Sequence, residues 1–195
     1  MHDLGRNEDR LRGTYEFPFE FHHIDSSHPR YVMSYHWHVE CEIMRVLQGT
    51  LTVTLDEKSF TAKAGDVIFV NSGVLHSGIP QDCIYQCIVF DMNMFLKFNS
   101  ICTEYMQKIS HQELLIYHHF TEKQPDIQRA VNSLFDSFWQ RKPGYELVVF
   151  GQFYHFFGLV FGNHYYLESL RKTRRDYKRI VQLKQVVEFI EKNYA

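Results

Sequence analysis

The residues best equipped for chemistry in this 195-residue chain lie in His36-Trp37-His38-Val39-Glu40-Cys41-Glu42. Residues two apart on a strand share a face, so His36 and His38 project together. Imidazole is the commonest transition-metal ligand, and a carboxylate from the next strand adds a third donor. Glu40 reads as a solvated neighbour rather than a ligand, while Trp37, between the two histidines, faces the other side into packing. The later stretch Gly65 to His76 supplies a fourth donor, His76. Three histidines and a glutamate converging in a small barrel suit zinc, nickel, iron, manganese or copper, and coordination geometry selects among them.

Such convergence needs strands from distant parts of the chain. Tyr31 to His38, Glu42 to Leu47, Leu51 to Leu55, Asp66 to Val70 and Ile84 to Phe90 are rich in β-branched and aromatic residues. Turn residues separate them at Gln48-Gly49, Asp56-Glu57-Lys58-Ser59 and Ala64-Gly65-Asp66. Short strands at this spacing predict a sandwich or barrel, so the half from about Tyr15 to Phe90 reads as all-β. His22 and His23 precede the barrel proper and read as surface residues, with the cavity mouth as the alternative place for one of them.

After Asp91 the period changes. A helix is expected over roughly Cys102 to Phe120, with His118 and His119 at its C-terminal end, where the macrodipole favours them. Ile127, Val131, Leu134, Phe135, Phe138 and Trp139 form one amphipathic stripe after Pro125, a first-turn proline, and Lys142-Pro143-Gly144 ends it. Tyr145 to about Leu170 reads as a helix apolar around most of its circumference (Phe150, Phe153, Tyr154, Phe156, Phe157, Phe161, Tyr165, Tyr166), which must bury two faces. A second copy of the chain is the natural cover for one of them, giving a homodimer. Ile180, Leu183, Val186, Val187 and Ile190 make a last stripe.

The site residues carry a family resemblance. His36, His38, Glu42 and Gly49 reproduce the spacing of the first cupin motif. Gly65-x5-Asn71-x-Gly73-x2-His76 resembles the second, with Asn71 where the family has proline, Pro80 where it often has asparagine, and Arg30 where the first motif opens with glycine. The resemblance implies a cupin-type double-stranded β-helix, a jelly-roll barrel, with metal ligands His36, His38, Glu42 and His76. HWHVECEIMRVLQGTLTVTLD and AGDVIFVNSGVLHSG are more similar to the amino-terminal sensing domain of bacterial AraC-family transcription regulators than to a cupin enzyme. RIVQLKQVVEFIEKNYA resembles the opening helix of that family's paired helix-turn-helix head. The implied organisation is a tail (1–14), a sensing barrel (15–95), a helical dimerisation region (96–170), and a basic linker with the first helix of a truncated DNA-binding domain (171–195). The length then reflects a boundary within a longer protein.

Charge agrees with that division. Residues 1–170 carry 13 basic and 20 acidic groups, whereas residues 171–179 carry six basic groups and one acid within a total net charge of −2. That balance excludes a uniformly basic nucleic-acid coat protein. The basic run can meet phosphate, but one helix cannot read base edges, so DNA is bound through the missing head. No signal-peptide-like stretch opens the chain, and Leu147 to Phe161 falls short of the ~20 residues a membrane span needs. Four irregularly spaced cysteines (Cys41, Cys83, Cys87, Cys102) read as reduced thiols of a cytoplasmic protein. The expected function is non-enzymatic. A small effector, a sugar or related polar metabolite, binds in the barrel near the metal, with Met44 among the inward-facing residues, and controls the helices that place the DNA-binding heads. The alternatives are a small metal-dependent cupin enzyme of oxygenase or isomerase type, and a structural dimerisation domain whose pocket is filled.

Overall fold

The computed structural model describes residues 6–7, 12–97, 101–169 and 186. The basic run at 171–179, the final amphipathic stripe apart from Val186, and most of the N-terminal tail lie outside them. The strands are β1 (Arg6–Asn7), β2 (Phe19–Ile24), β3 (Met33–Trp37), β4 (Cys41–Leu55), β5 (Lys58–Lys63), β6 (Val67–Val70) and β7 (His76–Phe90). A 3-10 turn (Met92–Leu96) and α1 (Ile101–Ser110) follow, then β8 (Leu114–Ile116), β9 (His119–Phe120), α2 (Pro125–Gln140), α3 (Tyr145–Gly162) and β10 (Tyr166–Glu168).

The two 15-residue strands β4 and β7 form the spine. They pair antiparallel from Cys41↔Phe90 to Leu55↔His76, with β2 and β3 added on β7 and β5 and β6 on β4. This is the cupin-type barrel the sequence predicts, followed by helices. Where two strands and a turn were expected around Gly49, the chain instead runs on as one strand. The register shows one extra residue in β4 between Val46 and Gln48 and one in β7 between Gln81 and Ile84. Gly49 (φ +67°) and Asp82 (φ +46°) absorb the resulting bend, and a Cβ on Gly49 would overlap the Asp82 carbonyl.

Alternation along β4 makes two cores. Met44, Val46, Leu51 and Val53 face inward with Ile68, Val70 and Tyr85. Cys41 and Ile43 face outward with Phe69, Ile88 and Phe90, onto the helices. There α2 contributes the expected stripe Ile127, Val131, Leu134, Phe135 and Phe138, but Trp139 is 60% exposed. From α3, Phe153, Phe156 and Phe157 are fully buried, and Phe19 stacks on Phe153 with ring centroids 5.1 Å apart.

Two expected helices end early. α1 stops at Ser110, because Gln112 turns left-handed (φ +56°) and its amide donates to the Ser72 carbonyl. Residues Leu114–Ile116 then pair as β8 with β10, which displaces the expected end of the third helix and carries Tyr166. Asn71 explains its departure from the cupin pattern. Its side chain donates to the Ile116 carbonyl (2.8 Å) and accepts from the Ile116 amide (3.0 Å), acting as a strand partner that a proline could not supply.

Candidate metal centre and effector cavity

His36 and His38 come from the end of β3 and the turn after it, Glu42 from β4 and His76 from the first residue of β7. Register brings them together, since His36 lies opposite His76 across the β3–β7 pair. One ligand atom from each of the four lies within 4.8 Å of the others. The His36 and His38 rings are centred 4.1 and 5.0 Å from that of His76. Glu42, His38 and His76 are 3%, 2% and 0% exposed.

The hydrogen bonds fix which way each ring presents its lone pair. His36 Nδ1 donates to the Ser34 carbonyl (2.9 Å), His38 Nδ1 to the Glu40 carbonyl (3.1 Å) and His76 Nδ1 to the Val74 carbonyl (2.9 Å). A carbonyl can only accept, so Nδ1 carries the proton and Nε2 of each neutral ring is left as an acceptor. Glu42 Oε2 faces two of these nitrogens, at 3.4 Å from His38 Nε2 and 3.2 Å from His76 Nε2. His76 Nε2 is buried without a hydrogen bond. Lone pairs thus meet lone pairs around one point, an arrangement a cation resolves. Donors ~2.1 Å from a central ion lie no more than about 4.2 Å apart, so the cluster needs only slight contraction.

Burial and the neighbouring His76 push His36 down to about 4, which keeps it neutral and able to ligate at neutral pH. Burial alone would raise Glu42, but where His38 or His76 takes up a second proton at Nε2 its hydrogen bond and charge outweigh burial and hold the carboxyl well below its ordinary range, so a proton can answer the same lone pairs as a metal ion. Glu40 stands outside the cluster as expected, yet it is not solvated. It is half-buried, with Oε2 3.7 Å from His38 Nδ1, and burial raises its pKa.

A cavity of about 290 Å³ opens onto three of the four donors, His36, His38 and Glu42. Met44 does not line it. One pleat deeper than Glu42, it is fully exhausted in packing among the inner barrel side chains. His22 and His23 belong to β2 and pair with β7, so they are part of the sheet rather than ahead of it. His22 lines the cavity, and His23 Nδ1 accepts from the Gln86 side-chain amide (2.9 Å) on the outer face. Further lining comes from Arg12, His28 and Arg30, which no periodicity marks. His118 and His119 leave the expected helix end for the bend before β9 and for β9 itself, bonding the Phe69 carbonyl and the Asp66 carboxylate at 2.9 and 2.8 Å. All four cysteines are free thiols, and Cys87 lines the cavity beside Glu42.

Comparison with known proteins places this geometry. The family model of the AraC-like ligand binding domain matches residues 18–157. An uncharacterized HTH-type transcriptional regulator of Bacillus subtilis (strain 168), YdeC, is 34% identical over 56 residues, covering 27% of this chain and 19% of that relative's length. Among solved structures, Bacillus subtilis oxalate decarboxylase, described with Mn(II) centres, is 25% identical over 31% of this chain and 18% of its own, with a TM-score of 0.28. A conserved protein of unknown function from Streptococcus pyogenes, SPY1581, is 15% identical over 37% of this chain and 62% of its own, at a TM-score of 0.32.

Proposed function

The chain belongs to the AraC-like ligand-binding domain family, and we propose that it senses a small effector inside its barrel and passes that state to the helices of a transcription regulator. The observation that carries this reading is the cavity opening onto the His–Glu cluster. Residues 15–95 are then the sensing unit and 96–170 the dimerisation region. DNA is contacted through a helix-turn-helix domain, in the cytoplasm, and the chain itself is not an enzyme.

Strand β4 links the two parts. Glu42 and Met44 face the barrel interior, while Ile43 and Arg45 face the helices. Arg45 donates to Gln86 on β7 (2.9 Å) and to Asp136 on α2 (2.8 Å), and its guanidinium lies 5.1 Å from the Phe135 ring. An occupant of the cavity is thus one strand's thickness from α2. It shifts the helices only by differential affinity for two arrangements, for which 1–3 kcal/mol is about the usual scale.

In this reading His36, His38, Glu42 and His76 hold a divalent transition metal, zinc, nickel, iron or manganese. When bound it supplies positive charge for an oxygen of the effector. The chain's own contribution is preorganisation, since three backbone carbonyls fix the tautomers and aim the rings. Metal content of the purified protein tests the site. About one equivalent per chain is expected, falling to background in His36→Ala and His76→Ala. Background metal in the wild type that added metal does not restore would contradict it. A metal-dependent oxygenase or isomerase would use the same donors and differs in consuming its ligand.

A further inference from the structure

Two of the metal donors share a support that neither strand period nor motif spacing marks. Residues 71–75, the turn between β6 and β7, hold His38 from one side. The Gly73 amide donates to the His38 carbonyl (2.9 Å), and the Ser72 hydroxyl donates to the carbonyl of the next residue, Val39. The same turn holds His76 from the other side. The Val74 carbonyl accepts the His76 Nδ1 proton (2.9 Å), and the Val74 amide donates back to the Asn71 carbonyl (3.2 Å). The turn itself is fastened from outside the barrel. Asn71 makes its two bonds to Ile116 on β8, and the Gln112 side-chain amide donates to the Ser72 carbonyl. Asn71, Ser72 and Gln112 are all buried, so each of these bonds is the partner its polar group depends on. Ile116 in turn pairs with Tyr166 on β10.

We propose that Gln112 is a positioning residue of the metal centre: through residues 71–75 the segment joining α1 to β8 sets where His38 and His76 stand, and metal occupancy is felt at Gln112 and Ile116 in return. The inference rests on the metal reading above and gives it a route out of the barrel separate from β4 and Arg45. The four donors must draw together around an ion, so free energy spent moving their supports comes out of metal affinity. Groups that orient metal ligands typically change affinity about 10–100-fold when removed, and Gln112, acting through Ser72, belongs at the lower end. Its backbone is left-handed (φ +56°), a conformation glycine takes at lower cost but without an amide to reach Ser72. Linkage makes the effect mutual. Whatever the Gln112–Ser72 contact contributes to metal binding, metal binding contributes to that contact.

Zinc titration of the full chain, followed by calorimetry and by amide NMR signals, tests the proposal. The wild type is expected to bind zinc, with the Gln112 side-chain amide and the Ile116 backbone amide signals both moving as it does so. Gln112→Met keeps the length and removes the donor, whereas Gln112→Gly keeps the left-handed turn. Each is expected to bind zinc about tenfold more weakly. Gln128→Ala removes a different tie between helices and barrel, the donation to the Gly65 carbonyl (2.6 Å), and is expected to leave zinc affinity unchanged. Wild-type affinity in a folded Gln112 variant, or an equal loss in Gln128→Ala, overturns the positioning role and leaves the metal site standing. Gln112 and Ile116 signals that stay in place while that of Gly73 moves overturn it as well, and this readout needs no variant to fold. No zinc binding by the wild type overturns the metal reading and the inference with it.

Discussion

At Glu42 a carboxylate is buried among imidazoles whose ring protons all point elsewhere, so the metal-free site holds repelling lone pairs. Glu42→Gln replaces that repulsion with an amide able to donate to an Nε2. The variant should gain about 1 kcal/mol of stability without metal, while losing tenfold or more in zinc affinity. Urea unfolding in chelator and a zinc titration read the two effects. His36 adds a pH dependence. Its folded pKa of about 4 lies below the ordinary 6.5, so between those values the unfolded chain binds more protons. Metal-free stability is therefore full above pH 6.5 and falls as the pH drops toward 4, and His36→Gln should flatten this slope; an unchanged slope would count against it. The four donors were legible because a two-residue strand period and motif spacing fix them. Arg12, His28 and Arg30 were not, since loop residues reach the cavity through the path of the chain.

Among elements, the amphipathic α2 was readable to its ends because period, Pro125 and Lys142-Pro143-Gly144 agree, and the helix closes at a left-handed Arg141 just before that stop. The stretch after α1 was misread for a tertiary reason. Its local pattern tolerates helix, but Asn71 and Gln112 tie it to the barrel and draw it into strand β8. Asn71→Ala should therefore cost about 1–3 kcal/mol, the penalty for two buried backbone groups losing partners, measured by urea unfolding against Asn163→Ala on the surface. Arg45 plays the matching part for α2. Arg45→Met leaves the buried side-chain oxygen of Gln86 without its donor and should destabilise by a similar ~1–3 kcal/mol, with faster amide exchange in α2 than in β6.

For the whole molecule, the apolar girth of α3 led to the expectation of a dimer, and burial redistributes the argument. Most of its aromatics turn inward, leaving Leu147 (79% exposed), Val148, Gly151, His155 and Gly158 facing out. If this face joins two chains, light scattering should give a dimer that Leu147→Glu with Val148→Glu converts to monomer; a wild-type monomer at high concentration contradicts it. No helix of the described residues is long and apolar enough to cross a membrane. The central claim is that β3, β4 and β7 converge their donors on one metal beside a ligand cavity. Anomalous scattering at the zinc edge, from crystals grown with zinc, tests it most directly. The account predicts one strong peak within bonding distance of His36, His38 and His76 Nε2 and the Glu42 carboxylate. A map with no peak there, or with zinc bound only at other surface histidines, would contradict it.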